Sequence, residues 1–322
     1  MGKHSKVIRL ACCRNIEIGG VRQWLFIKGK SMNNPFLLFL HGGPGGAEWP
    51  LVRKFNLPLE NYYTIVYWDQ RGAGKSFTGT TPNMHVEQFI ADTKAVTDYL
   101  QQEFLQTRVF VVGHSWGSLL GMLTAKKYPH LFEGFIGVGQ FVSGKENEAI
   151  SYQFTKDCAK QRKNKRAIAQ LEQINQPHPY GTIDPDGKWF NDLLIQREWL
   201  FRFEGCIYGE SNRLKWALPY FITPEYSWLD FVKFLKGYYY SLRLMWPEIV
   251  KYNLFEQIPQ MEIPCYFFIG KHDYNTPFEL AQRYFEQLKA PRKELIWFEN
   301  SAHHPMYEEA PKFNALLIDL VR

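Results

Sequence analysis

The sequence predicts an α/β fold in which a mostly parallel sheet is flanked by helices and interrupted by an inserted helical cap. Three observations lead to this prediction. Short apolar runs alternate with helical patterns before residue 142, and the same alternation resumes after residue 258. Between these two parts the chain carries long helical patterns and no clear central strand. Strands that alternate with helices are typical of a parallel sheet covered on both faces.

These patterns divide the chain into three segments. We expect residues 1–141 to form the first part of the core, 142–258 the cap, and 259–322 the second part of the core. The chain has 322 residues, of which 45% are hydrophobic. That is enough to bury one large core with an inserted subdomain.

The predicted strands of the core are short and apolar. Residues 7–12 and 16–28 are predicted to be strands, with the turn signal Gly19-Gly20 inside the second. Nearly unbroken apolar runs, which suit strands buried on both faces, lie at 35–40 and 62–68. Further strands are predicted at 108–112, 132–138, 263–269 and 293–298. Helical spacing of apolar residues predicts helices at 86–104, 115–128, 277–288 and 311–321.

A candidate nucleophile follows the apolar run 108–112. The residues there are Gly113-His114-Ser115-Trp116-Gly117, the G-x-S-x-G pattern at a predicted strand-to-helix turn. Such a turn exposes the serine hydroxyl at the top of a sheet. Serine is a weak nucleophile unless a base activates it and an acid orients that base.

Two later loops can supply those partners in the order acid, then histidine. Asp273 comes after the predicted strand 263–269, and His303 after 293–298. Both follow the carboxyl ends of strands, where open α/β sheets bind their ligands. Taken singly, Asp273 could be a turn residue and His303 a surface loop residue, with His304 as an alternative base. Together the three positions predict a catalytic triad of Ser115, Asp273 and His303.

The glycine-rich loop His41-Gly42-Gly43-Pro44-Gly45-Gly46 is a candidate oxyanion hole. Backbone N–H groups must meet the negative charge that acyl transfer develops on the carbonyl oxygen. We expect the N–H groups of Gly43 and Trp116 to do this, because Pro44 has none. The alternatives are a simple tight turn or a phosphate-binding loop, although the G-K-[ST] sequence of the latter is missing.

A third loop, Asp69-Gln70-Arg71-Gly72-Ala73-Gly74-Lys75-Ser76, follows the predicted strand 62–68. We interpret it as structural and expect Arg71 to pair with Asp69 within the loop layer. A direct catalytic role is the less favoured alternative, because charged loop residues usually serve structure.

The motifs HGGPGG, WDQRGAGKS and GHSWGS, followed by the Asp273 and His303 loops, resemble the proline iminopeptidase family of α/β-hydrolases. The resemblance implies the same triad and the same oxyanion donors. It also implies that an acidic cap residue binds the free amine of the substrate. Phe203-Glu204-Gly205 is similar to the family's Trp-Glu-Gly motif, which makes Glu204 the substrate-binding candidate. The family's second glutamate motif is missing, and Glu225 and Asp230 are its possible stand-ins.

The resemblance and the triad together predict a serine aminopeptidase that releases an N-terminal proline or small apolar residue. The alternatives are a carboxylesterase, amidase or acyltransferase, or a non-catalytic binding protein on a hydrolase scaffold. Hydrolysis by a triad needs no metal or organic cofactor, and none is expected. The substrate would be a small molecule or short peptide. Many aromatic residues of the cap would form its core, and a few would line the pocket.

Composition and net charge limit the kinds of partner that we expect. The net charge of +6 is spread along the chain, and we interpret the basic run Lys156–Arg166 as a solvated helix face. We therefore expect no nucleic-acid partner and no membrane partner. The five cysteines have no metal-site spacing and favour reduced thiols, and no apolar signal region is seen. The expected location is the cytoplasm, and the oligomeric state is left open.

Overall fold

A computed structural model describes residues 10–104, 108–174, 187–210 and 213–322. Eight strands form one sheet: β1 Leu10–Ile18, β2 Val21–Gly29, β3 Phe36–Leu40, β4 Thr64–Asp69, β5 Val109–His114, β6 Phe132–Val138, β7 Cys265–Gly270 and β8 Lys293–Phe298. The first expected strand, 7–12, is part of a longer strand, and its residues 7–9 lie outside the described residues.

The strand order is β1-β2-β4-β3-β5-β6-β7-β8. β2 pairs antiparallel with both β1 and β4, whereas β4, β3, β5, β6, β7 and β8 run parallel. Every residue of β3, β4 and β7 is buried, as expected of strands that helices cover on both faces. The prediction of a mostly parallel α/β sheet is confirmed.

The described residues also form twelve α-helices, six of them in the segment between β6 and β7. They are α1 Trp49–Phe55, α2 Val86–Phe104, α3 Trp116–Lys127, α4 Gly144–Gln161, α5 Lys165–Glu172, α6 Lys188–Arg202, α7 Arg213–Ile222, α8 Trp228–Ile249, α9 Leu254–Gln257, α10 Phe278–Gln287, α11 Pro305–Glu308 and α12 Ala310–Asp319. Within the described part of the chain, none of them is long and apolar enough to cross a lipid bilayer.

The insertion between β6 and β7 is mainly helical in the part that the structure describes. It holds α4 to α9, and a small apolar cluster forms around Tyr152, Trp199 and Phe203. Other buried aromatic side chains of the insertion, such as Trp246 and Tyr220, belong instead to the two larger apolar clusters that include the sheet. The boundaries at residues 141/142 and 258/259 stay a prediction.

The parallel strands bring distant loops to one edge of the sheet. β3, β5, β7 and β8 all end at this edge, because they run in the same direction. The loops after them carry the glycine-rich segment, Ser115, Asp273 and His303. Residues that are far apart in the sequence are thereby placed close together.

The expected pair of Arg71 with Asp69 is wrong. The Arg71 guanidinium instead makes a two-pronged ion pair with Asp92 of α2, at 2.8 and 3.0 Å, and both side chains are fully buried. Asp69 accepts hydrogen bonds from the Lys75 backbone N–H and the Tyr226 hydroxyl. The interpretation of this loop as structural stands, but its partner lies on a helix that sequence spacing did not indicate.

Candidate active site

Ser115 sits on a sharp turn between β5 and α3. Its backbone has φ +53° and ψ −118°, a conformation that L-residues rarely adopt. The neighbouring glycines allow it, because a Cβ on Gly117 would lie 2.0 Å from the Leu40 carbonyl oxygen. A Cβ on Gly113 would lie 2.3 Å from the Gly117 carbonyl oxygen. The turn is thus packed so tightly that only glycine fits on either side of the serine.

Asp273 and His303 meet at the same edge of the sheet. The distance from His303 Nδ1 to Asp273 Oδ2 is 2.9 Å, and both side chains are buried. The other carboxylate oxygen accepts hydrogen bonds from the backbone N–H groups of Asn275 and Thr276, each at 2.9 Å. The Thr276 hydroxyl donates to Oδ2 at 2.9 Å. The Asp273 carboxylate is therefore held rigidly and orients the imidazole.

Burial shifts the pKa values of Asp273 and His303 in opposite directions. Burial raises the pKa of Asp273 to about 7, although the hydrogen bonds from Thr276 and Asn275 oppose the shift. Burial also lowers the pKa of His303 well below its usual value, and the nearby His114 adds to this. Above neutral pH the arrangement accordingly holds a carboxylate beside a neutral imidazole. His303 Nε2 is buried and has no hydrogen-bond partner among the described residues.

His304, the alternative base, has different surroundings. Its Nε2 lies 3.8 Å from the Cys206 sulfur, and its backbone N–H donates to Glu308. Glu308 also accepts from the backbone N–H of Ala302, so this buried carboxylate holds the loop on both sides of His303. The Asp273 contact belongs to His303, which favours that histidine as the base.

The glycine-rich loop is tied to the serine turn through Gln70. The Gln70 side chain donates to the His41 carbonyl at 3.3 Å and accepts from Trp116 Nε1 at 3.0 Å. Gly43 has φ +110°, which favours glycine, and the Gly43–Pro44 peptide bond is cis. Trp116 is the first residue of α3, so its N–H has no acceptor within the helix. The oxyanion role of Gly43 and Trp116 stays a prediction that this arrangement supports.

Sequence reasoning missed an ion pair directly behind the serine. His114 Nδ1 lies 2.8 Å from a Glu48 carboxylate oxygen, and Nε2 lies 3.0 Å from the His303 carbonyl oxygen. Both ring nitrogens face acceptors, so both carry protons. Burial lowers the pKa of His114, but the Glu48 carboxylate, the His303 carbonyl and the Asp273 carboxylate together outweigh burial, so the net pKa is raised. The residue before the serine in a G-x-S-x-G motif gives no sequence signal for such a partner.

Glu48 and His114, together with His304, form the one group of metal-ligand donors found among the described residues. Donor atoms of Glu48, His114 and His304 all lie within 4.8 Å of one another. His114 is a poor ligand in this arrangement, because both of its nitrogens already donate hydrogen bonds and offer no lone pair. The expectation that no metal takes part stays a prediction.

A cavity of about 610 Å³ opens beside Ser115 and His303. The residues around it come from the core loops and from α6, α7 and α8, and most are apolar, among them Leu51, Phe141, Leu194, Phe201, Trp216, Tyr220, Phe234 and Trp246. Gly43 and Trp116 also line it. A largely apolar cavity with a few polar groups beside a candidate nucleophile is the usual form of a substrate pocket.

The acidic residues expected to bind an amine are not the ones on the cavity wall. Glu204 is absent from the described cavity lining, whereas Glu198 of α6 and Glu48 are part of it. Glu225 pairs with Lys28 and Arg53, and Asp230 pairs with Lys75; neither residue lines the cavity. Glu198 precedes Glu204 by six positions, and motif matching alone could not tell which of the two faces inward.

The eight-stranded sheet with a serine at the β5–α3 turn defines the class of the protein, an α/β-hydrolase. Residues 35–172 match the family described as alpha/beta hydrolase fold. The chain is 33% identical over 312 residues to a probable aminopeptidase, YbaC, of Bacillus subtilis strain 168, covering 94% of both proteins. It is 25% identical to a proline iminopeptidase of Saccharolobus solfataricus, covering 92% of this chain and 86% of the relative.

The chain therefore belongs to the proline iminopeptidase family of α/β-hydrolases, as its motifs suggested, and is a hydrolase by fold. Among solved structures, the esterase RhEst1 from Rhodococcus sp. ECU1013 is similar in fold. Its TM-score is 0.63 and its sequence identity 14%, with 96% of this chain and 98% of that chain covered. The fold is thus shared with esterases as well as with aminopeptidases.

Proposed function

We propose that the protein is a serine aminopeptidase that releases an N-terminal proline or small apolar residue through an acyl-enzyme on Ser115. The observation that carries this proposal is the Asp273–His303 hydrogen bond of 2.9 Å beside a cavity that Ser115 also lines. The relative named a probable aminopeptidase supports the choice of substrate class.

The proposed reaction uses the groups in a fixed order. Ser115 Oγ attacks the scissile carbonyl carbon while His303 takes the hydroxyl proton, and Asp273 stabilises the imidazolium that forms. The N–H groups of Gly43 and Trp116 bind the oxyanion. The oxyanion then collapses, the C–N bond breaks, and His303 delivers its proton to the leaving amine. Water, deprotonated by His303, then attacks the ester carbonyl carbon. The bond to Ser115 Oγ breaks as His303 returns the proton to Oγ, which releases the amino acid and regenerates Ser115.

Ser115→Ala tests the nucleophile. We expect kcat on amino-acyl arylamides to fall by about 10⁴-fold or more, because a triad without its nucleophile retains only a small residual rate. A fluorophosphonate probe should label the natural protein at Ser115 and leave the variant unlabelled. Ser118→Ala, one turn along α3, is the matched control and should still be labelled. A folded natural protein that resists the probe would exclude the serine mechanism.

Glu198 is our candidate for binding the free amine of the substrate. It lines the cavity, and a carboxylate would stabilise an ammonium group that loses its water on binding. Glu198→Gln should raise the KM for prolyl arylamide by about tenfold, since hydrogen bonds to charged groups are worth roughly 1.5–3 kcal/mol. The KM for an N-blocked analogue should not change. Glu204→Gln, which alters a carboxylate off the cavity wall, should leave both values within about twofold.

A carboxylesterase or amidase is the second candidate function. One observation favours it: the Glu198 carboxylate already pairs with Arg202 at 2.6 Å, which reduces its attraction for an incoming ammonium group. This alternative predicts that short acyl esters turn over as fast as amino-acyl arylamides and that blocking the amine has no effect. A strict requirement for the free amine would eliminate it.

A further inference from the structure

Two neighbouring helices of the cap expose several large apolar side chains. We call this surface the outer cap face and define it by α7 and the first turn of α8, with Leu214, Leu218, Phe221, Ile222, Trp228 and Leu229. Leu214 is 77% exposed and Trp228 is 68% exposed. Monomeric proteins in water rarely leave so many large apolar side chains together on one surface.

The helix α7 is apolar on two opposite faces. Its inner residues Trp216, Ala217 and Tyr220 line the cavity beside Ser115, whereas Leu214, Leu218 and Phe221 point outward at helical spacing. A helix with apolar residues all round is normally covered on every side. In the described part of the chain the outer face of α7 is instead largely exposed, although Phe221 contacts the ring of Phe231 on α8, with 4.5 Å between the ring centroids.

The charges around this face have one sign. Within residues 214–240, the exposed ionisable side chains are Lys215, Lys233 and Lys236. Both acids of this segment form ion pairs, Glu225 with Lys28 and Arg53, and Asp230 with Lys75 at 3.0 Å. The exposed Lys233 also reaches Asp230, but at 4.0 Å. Lys215 lies 3.0 Å from Glu210, but an exposed pair of this kind is weak and easily exchanged. The face is thus apolar, aromatic and basic at once.

The apolar and basic character of the outer cap face favours one kind of binding partner over another. In a two-fold dimer through this face, the lysines of one copy would meet those of the other. An anionic phospholipid surface instead offers negative charge to the lysines and an interfacial zone that suits Trp228 and Phe221. We propose that the outer cap face docks on the surface of an anionic phospholipid bilayer. Binding would be peripheral, as for amphipathic helices that lie in the interface.

Part of the exposed apolar surface of the cap also borders the cavity beside Ser115. Leu235 and Tyr239 of α8 are exposed and also line the cavity, so the apolar surface continues to the cavity entrance. A docked molecule would receive apolar substrates from the bilayer without their passing through water. This inference departs from the sequence-based expectation of no membrane partner, because exposure on α7 cannot be deduced from composition.

Vesicle flotation tests the proposal. We expect the protein to float with vesicles of phosphatidylcholine mixed with phosphatidylglycerol, to bind pure phosphatidylcholine much less, and to lose binding as salt is raised. Ile222→Ser with Trp228→Ser should reduce the partition coefficient by at least about tenfold, given the apolar area removed from the interface. Lys233→Gln and Lys236→Gln should each reduce it by about fivefold.

Two controls keep the result specific. Leu57→Ser and Lys126→Gln change an exposed leucine and an exposed lysine outside the cap and should bind like the natural protein. Equal binding to neutral and anionic vesicles, or binding to neither, would overturn the proposal. So would a dimer in sedimentation equilibrium that the Ile222→Ser, Trp228→Ser variant dissociates, since a second copy would then cover the face. Unchanged circular dichroism of each variant shows that it folds.

Discussion

The His114 imidazole carries both protons because each ring nitrogen faces an oxygen acceptor, one from Glu48 and one from the His303 backbone. A buried cation therefore lies next to the candidate base. It lowers the pKa of His303 and also that of Asp273, although burial has the larger effect on each. Its hydrogen bond to the His303 carbonyl also holds the loop in place. We infer that His114 is a positioning residue rather than a catalytic one.

The pKa of Asp273 sets the expected pH dependence. The proposed reaction needs Asp273 ionised and His303 neutral. Burial raises the pKa of Asp273 to about 7, and the pKa of His303 lies well below its usual value. Activity should thus be high above pH 7 and fall as the pH drops through about 7, when Asp273 takes up a proton. A profile of kcat/KM against pH measures this, and full activity at pH 5 would contradict it.

Replacing His114 should move that profile. His114→Gln removes the buried cation, so the pKa values of Asp273 and His303 should both rise, and the acidic limb should shift to higher pH by up to about one unit. His304→Gln is the matched control: its ring lies 5.1 Å from that of His303, but burial lowers its pKa and keeps it neutral. The control should leave the acidic limb of the pH profile unchanged. If the acidic limb also stays unchanged in His114→Gln, His114 acts only by holding the loop in place.

The buried Arg71–Asp92 pair joins several elements near the carboxyl end of β4. Asp92 of α2 also accepts hydrogen bonds from Gln23 of β2 and from Gln88. Arg71 donates in addition to the carbonyl oxygens of Gly19 and Pro82, so the loop after β4, the β1–β2 hairpin and α2 share one network. Every member is hydrogen-bonded, which is the condition under which buried polar networks are tolerated.

Breaking this network should cost much more than breaking an exposed pair on the same helix. Arg71→Met leaves Asp92 buried without its cation and should lower the free energy of unfolding by about 3 kcal/mol or more. Lys94→Met removes the partly exposed Lys94–Asp98 pair of α2 and should cost no more than about 0.5 kcal/mol. Urea unfolding measures both. Equal losses of unfolding free energy in the two variants would show that the Arg71 network does not stabilise the fold more than an exposed ion pair does.

The cavity lies between core loops and cap helices, and its volume of about 610 Å³ limits what can reach Ser115. Pockets of this size enclose a ligand of small-molecule dimensions. If the proposed aminopeptidase activity is correct, kcat/KM should be highest for amino-acyl arylamides and short peptides. For the same residue at the N-terminus of a folded protein we expect a value lower by about 100-fold or more.

Mass spectrometry of the released amino acid provides the measurement for that prediction. The matched substrates would be a short peptide and a folded protein with the same N-terminal sequence. Unfolding the protein substrate should restore cleavage, because the end of an extended chain is narrow enough to enter a cavity of this size. Equal rates on the folded protein and the peptide would mean that the cap opens far wider than the structure shows.

Local patterns predicted most elements of the fold. The predicted helix 86–104 and the strands 132–138 and 293–298 appear with the same bounds, since periodicity and turn signals depend on neighbouring residues. The strand at Leu10–Ile18 was predicted only in part, because its exposed residues Cys13 to Asn15 carry no apolar signal. Asp273 and His303 were placed from motif order, and the structure brings them together. Their catalytic roles, with that of Ser115, stay predictions.

The sequence by itself determined the fold class, the family and the order of the candidate catalytic residues, because strand, turn and motif signals all reside in short contiguous segments. Only the tertiary structure decided which side chains meet. It paired Arg71 with Asp92 instead of Asp69 and brought Glu48 to His114 from 66 positions away. It also put Glu198 rather than Glu204 on the cavity wall and left the outer face of α7 exposed. Those contacts depend on how helices and loops pack over the sheet, which no local pattern encodes.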